Sequence, residues 1–117
     1  MTSEEAQANP DTVTGIMIVF GTPTRVLFDT RSSQSFVSTI FALHANRELV
    51  LLKNKLIVNM PLGEQILRTS IFKGCEIVLE RVVLKANLIP LEMSNFDVIL
   101  GMDWFSNHRA SMNYFTK

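Results

Sequence analysis

Short apolar runs separated by turn-forming residues dominate the chain from Ile16 onward. Ile16 to Phe20 is a continuous apolar run stopped by Gly21-Thr22-Pro23, and Arg25 to Phe28 is a second. Together they predict a hairpin that turns around Gly21 to Thr24. Phe36, Val37, Ile40, Phe41 and His44 then share one face at helical spacing. This predicts a helix capped by Ser33 or Ser35 and ending near Asn46. Strand character returns at Leu49 to Leu52 and Lys55 to Val58, with a weak break at Lys53-Asn54. Asn59 to Glu64 has the composition of a turn, and Ile66 to Phe72 runs back out to a break at Lys73-Gly74. Cys75 to Leu79 and Val82 to Leu88 predict a further hairpin over Glu80-Arg81.

Val98-Ile99-Leu100 is short and wholly apolar, the pattern of a strand buried on both faces. After Gly101, Met102 to Ser106 predicts a short helix with Asp103 near its N-terminus, and a last strand is expected around Ala110 to Phe115. Residues 1–11 are polar and read as a flexible tail; residues 12–117 read as one domain. Many short strands at close spacing point to a small, mainly β, barrel-like domain with one or two helices.

Composition narrows the partners. The 117 residues are 47% hydrophobic and 19% charged, the balance of a globular domain. Lys+Arg and Asp+Glu are equal at 11 each, which gives no electrostatic reason to expect nucleic acid or an anionic membrane. No apolar run nears the roughly 20 residues needed to span a bilayer. Cys75 is the single cysteine, so an internal disulfide is impossible and a reducing, intracellular setting fits best.

The chemistry concentrates at Val26-Leu27-Phe28-Asp29-Thr30-Arg31-Ser32-Ser33. An apolar run ending on a carboxylate and breaking into small hydroxyl residues puts an acid at the end of a buried strand. Such burial is costly unless the charge is hydrogen-bonded or shared. Ser32, Ser33 and Ser35 have no patterned relation to His44 or His108, and no Gly-x-Ser-x-Gly elbow exists, so they read as loop hydroxyls and caps. One Cys and two scattered His show no metal-ligand spacing. Cys75 reads as a small buried hydrophobe, His44 as a residue on the inner or boundary face of its helix, and Trp104 as core.

This Asp29-Thr30 loop, together with Asn95-Phe96-Asp97-Val98-Ile99-Leu100-Gly101-Met102-Asp103-Trp104, resembles the retropepsin-like aspartic proteases of gypsy-type retrotransposon polyproteins. Pro61-Leu62-Gly63 is similar to their flap hairpin, and Ser33 to Ser38 to the helix after the active-site loop. The resemblance implies a small closed β-barrel of the retropepsin type with one or two short helices. It implies Asp29 as the catalytic acid, Thr30, Arg31 and Ser32 as the active-site loop, and Met60, Pro61, Leu62 and Gly63 as the flap. Ile99, Leu100 and Gly101 would form the structural signature beside the loop. The implied partners are a second copy of the chain, as a homodimer, and a polypeptide substrate. The setting would be cytoplasmic, in virus-like particles. No metal or organic cofactor is implied.

One residue departs from the pattern: the family reads Asp-Thr/Ser-Gly where this chain reads Asp29-Thr30-Arg31. Gly suits such a loop because it lacks Cβ and tolerates unusual backbone angles. Arg31 in its place implies a backbone penalty of about 1–2 kcal/mol. Two guanidinium groups beside paired carboxylates would also favour the state in which both are ionised. The alternatives are therefore a catalytically inactive remnant serving as a dimerisation or peptide-binding module, or a domesticated cellular protein using the fold.

Overall fold

The structure, a computed structural model, describes residues 12–45, 47–59 and 63–109. The expectations for a tail over residues 1–11, a strand around Ala110 to Phe115, and the flap residues Met60, Pro61 and Leu62 lie outside them. Nine strands and two short helices are present among the described residues. The strands are β1 (Thr12–Val19), β2 (Thr22–Asp29), β3 (Phe36–Ser38), β4 (Val50–Asn59), β5 (Gln65–Cys75), β6 (Ile77–Leu79), β7 (Val82–Val83), β8 (Ala86–Leu91) and β9 (Val98–Leu100). The helices are α1 (Thr39–Leu43) and α2 (Met102–Asn107).

The sheet order is β4-β5-β8-β3-β9-β2-β1-β6-β7. Only Glu76 separates β5 from β6 along the chain, yet these strands stand second and eighth in that order. The sheet must therefore curl back on itself, as a barrel does, although β4 and β7 are not hydrogen-bonded to each other. Val19, Val26, Ile77, Leu88, Val98 and Leu100 fill the inside of the curl with Phe72 and Trp104. A second apolar cluster lies under the β4–β5 hairpin: Phe36, Val58, Ile71 and Ile89, joined by Leu56, Ile66, Leu91 and Ile99. Strand β9 serves both, because side chains alternate across a strand. Val98 and Leu100 are fully buried in the first cluster, while Ile99 faces the second.

The first hairpin turns two residues earlier than expected, at Phe20-Gly21. Both residues have positive φ (54° and 76°), the geometry of a tight hairpin turn whose twist matches its strands. A bulky residue resists that conformation, but Phe20 is held by Phe41 at 5.9 Å and Phe72 at 6.4 Å between ring centroids. Thr22, Pro23 and Thr24 then pair with Val19, Ile18 and Met17. Pro23 is tolerated because β9 pairs with β2 only from Val26 to Phe28, leaving its missing N–H on an unpaired edge.

The expected helix over Phe36 to His44 is shorter than its spacing suggested. Phe36, Val37 and Ser38 are strand, pairing with β8 on one side and, through Phe36 and Val37, with β9 on the other. The helix begins only at Thr39, and its cap is Ser38, whose Oγ accepts from the Phe41 N–H at 3.3 Å. Val50 to Asn59 is one strand in which Lys53-Asn54 falls within a register shift rather than a break. Lys73-Gly74 is likewise a shift inside β5, with Gly74 at φ 62°.

Glu80 and Arg81 turn β6 into β7 with φ values of 48° and 75°. Neither residue is glycine or asparagine, so the turn carries backbone strain. Replacing the pair by Asn-Gly is expected to stabilise the fold by about 1 kcal/mol, read as a Tm several degrees higher.

Candidate active site

Strand β2 lies between β1 and β9, and its parallel register with β9 matches Val26, Leu27 and Phe28 to Val98, Ile99 and Leu100. One step further, Asp29 ends β2, past the last β9 pair but still matched to Thr12 of β1. The chain reverses at once: the Ser32 N–H donates to the Asp29 carbonyl at 3.1 Å. The Asp29 side chain stabilises the same turn, with Oδ1 accepting from the Arg31 backbone N–H at 2.9 Å. Arg31 does not adopt a positive φ. The expected backbone penalty for losing glycine is therefore not incurred; an ordinary residue fits this turn.

Side-chain geometry at Arg31 matters more. Its Nε lies 3.3 Å from Asp29 Oδ1, forming an ion pair in which Arg31 is 56% exposed and Asp29 15%. The guanidinium thus folds onto the carboxylate from the solvent side. Both residues line a cleft of about 530 Å³ with Ser32, Ser33, Phe36, Asn59, Leu91 and Ile99. The apolar wall is the open side of the second cluster, which contributes Phe36, Leu91 and Ile99. Asn59, at the end of β4, brings the hairpin to the cleft.

The loop beyond Arg31 is fastened to the start of α2. Met102 N–H donates to the Ser32 carbonyl at 2.8 Å and Asp103 N–H to the Ser33 carbonyl at 3.2 Å. Ser35, fully buried, donates its hydroxyl to Asp103 Oδ1 at 2.7 Å and accepts from the Gly101 N–H at 3.0 Å. Asp103 Oδ1 also accepts from the Trp104 N–H at 2.7 Å. Gly101 is needed for space: a Cβ there would sit 2.3 Å from the Gln34 carbonyl oxygen and 2.6 Å from that of Ser32.

The expected site residues are thus partly gathered. Asp29, Arg31, Ser32 and Ile99 meet in the cleft; Leu100 is core, and Gly101 supports the loop from behind. Thr30 is exposed on the turn. Gly63, at φ 92°, is the described member of the flap quartet. Phe36, Asn59 and Leu91 are lining residues that sequence reasoning missed. In the sequence Asn59 carries only turn composition, and nothing local marks Leu91.

Groups elsewhere play other parts. His44 is an exposed helix C-cap rather than an inner face residue. His108 Nε2 lies 2.6 Å from the Lys85 carbonyl oxygen, with its ring 5.4 Å from that of Trp104. Among the described residues, no three His, Cys, Asp or Glu side chains gather as a metal site, and no helix is long and apolar enough to cross a membrane. Cys75 is fully buried, and burial pushes its thiol above the ordinary 9.0, partly opposed by the Arg47 guanidinium. The folded chain therefore holds the thiol proton to higher pH than the unfolded chain does. Its contribution to stability is complete below about pH 9 and declines as pH rises further. Denaturant titrations should show a decline as pH rises above about 9 that is smaller in Cys75→Ala.

The sequence profile of the retroviral aspartyl protease family matches residues 1–117. Comparison with curated proteins finds no match. Among solved structures, EIAV protease in complex with the inhibitor HBY-793 shares the fold at TM-score 0.60 and 16% identity, covering 84% of this chain and 88% of that one. The retroviral protease-like domain of Ddi1 from Leishmania major gives TM-score 0.60 at 13% identity, covering 86% and 80%. Lpg0085, a Legionella pneumophila protein of unknown function, gives 0.52 at 11%, covering 82% and 85%. At these identities the structures establish the retropepsin-like fold alone. The profile, by contrast, runs through the Asp29 loop and the Gly101 support alike, and on that ground the chain belongs to the retroviral aspartyl protease family.

Proposed function

We propose that this chain is an aspartic-type endopeptidase domain of a gypsy-type retrotransposon gag-pol polyprotein, acting as an intracellular homodimer. The observation that carries the reading is the position of Asp29, largely buried at one side of a cleft with an apolar wall. Peptide hydrolysis of this type needs two carboxylates sharing one proton. Like charges about 3 Å apart cannot both ionise, so one accepts a proton from water while the other donates to the carbonyl oxygen. Among the described residues that line the cleft, Asp29 is the single carboxylate, and a two-fold axis beside it would supply the second. Thr30 would join the two loops across that axis. The segment from Met60 through Pro61 and Leu62 to Gly63 would close over an extended peptide lying against Phe36, Leu91 and Ile99. EIAV protease holds an inhibitor in the same fold, which supports reading the cleft as a ligand site.

A second reading follows from Arg31 Nε at 3.3 Å from Asp29 Oδ1. A guanidinium seated on Oδ1 occupies a carboxylate oxygen that the attacking water and the second carboxylate would both need. On this reading the native chain is a peptide-binding dimer with little or no hydrolytic activity.

Cleavage of an unstructured protein at mildly acidic pH tests both. Arg31→Gly is expected to cut at least about tenfold faster than the native chain. Asp29→Asn, alone or combined with Arg31→Gly, should abolish cutting. If Arg31→Gly sediments as a folded dimer and still does not cleave, the endopeptidase reading is wrong.

A further inference from the structure

Arg31 does more than neutralise its neighbour. We infer that it makes the cleft selective for peptides that present an acidic side chain. The inference rests on reading the cleft as a peptide site. The ion pair with Asp29 engages Arg31 through Nε, and a guanidinium carries five N–H donors in a planar fork. The donors on its two terminal nitrogens suit a carboxylate in bidentate geometry, which binds more strongly than a single contact.

Accessibility supports this. Within the chain Arg31 is 56% exposed where Asp29 is 15%, so the guanidinium is the more accessible member of the pair. The remaining polar lining residues, Ser32, Ser33 and Asn59, are neutral. Among the described residues that line the cleft, Arg31 is thus the only cation, sharing the lining with an apolar wall of Phe36, Leu91 and Ile99. The ligand that fits both features is an extended peptide with apolar residues around one Asp or Glu. A half-exposed pair held by one long contact is weak, so an incoming carboxylate can take Arg31 from Asp29 at little cost. That exchange would also uncover Asp29, making acidic ligands the ones that free the catalytic group.

The test uses uncleavable statine-containing peptides, apolar except for one Glu placed at each position in turn, each paired with a Gln twin. Affinities are read by fluorescence anisotropy for the native chain, Arg31→Gly and Arg31→Gln. At one or more positions the native chain should bind the Glu peptide at least about fivefold tighter than its twin. That preference should shrink as salt rises and vanish in both variants. Equal affinities at every position, or a preference that survives in the variants, would overturn the inference while leaving the peptide cleft intact. Failure of folded, dimeric native chain and variants to bind any statine peptide would overturn both.

Discussion

Gly101→Ala is expected to destabilise the fold by about 3 kcal/mol or more and to displace the Asp29 loop. Gly101 has φ −108°, an angle open to any residue, so the effect does not come from backbone freedom. It comes from the space that the loop occupies. An added Cβ would meet the backbone oxygens of Gln34 and Ser32 at 2.3 and 2.6 Å. Backbone oxygens cannot rotate aside as a side chain can, and the Ser32 oxygen is already fixed by Met102 N–H at 2.8 Å. Relief requires moving the whole segment, which breaks that bond and the Gly101 N–H bond to Ser35. Gly15→Ala is the contrasting case. There a Cβ meets only Phe28 Cε2, at 3.4 Å, in the middle of β1. Since glycine inside a strand is unfavourable by about 0.5–1 kcal/mol relative to alanine, this change should be neutral or mildly stabilising. Urea titrations of the two variants separate them directly: a large fall in midpoint for one and none for the other.

Arg31 illustrates where sequence reasoning reached and where it stopped. The replacement of glycine was visible in the sequence, and so was the proximity of a cation to Asp29. The backbone angle was not, because a turn of this kind can be built with or without positive φ. The Asx geometry, in which Asp29 Oδ1 holds the Arg31 N–H at 2.9 Å, accommodates an ordinary residue. The departure from the family pattern therefore acts through the guanidinium and not through strain.

Local pattern was a good guide wherever one strand satisfies one run. Val98-Ile99-Leu100 is apolar throughout because it pairs with β2 and β3 and has a hydrophobic cluster on each face. It misled at Phe36 to His44. There the residues at 36, 37, 40 and 41 mimic a helical stripe, but the first two are buried strand residues beside β9. Pairing on both sides outweighs the intrinsic spacing of so short a segment. The lining contributed by Asn59 and Leu91 was invisible for a different reason. Each reaches the cleft through the curl of the sheet, and no local pattern encodes a contact made that way.

Ser35→Ala is the change in which that non-local information is tested most sharply. Ser35 and Asp103 are 68 residues apart, yet their side chains meet at 2.7 Å. Removing the hydroxyl leaves the buried Gly101 N–H without its acceptor and Asp103 without one of its donors. A buried polar group left unsatisfied costs about 1–3 kcal/mol, and bonds to charged groups are worth more than neutral ones. Ser35→Ala is therefore expected to lose about 2–4 kcal/mol, a large share of the margin of a domain this size. Asp103→Ala should cost less, because the Ser35 hydroxyl keeps its bond from Gly101 and the Trp104 N–H lies at a helix end. If the two side chains act through each other, the double variant will fall short of the sum by about 1 kcal/mol or more. Strict additivity would mean that Ser35 stabilises the loop through Gly101 alone. Either result bears on Asp29, because the tether joins the loop that holds the carboxylate to the helix that follows Gly101. A loop freed at Ser35 should bind a statine-type inhibitor more weakly even at temperatures where the variant remains fully folded. Retained affinity at those temperatures would confine Ser35 to a role in stability.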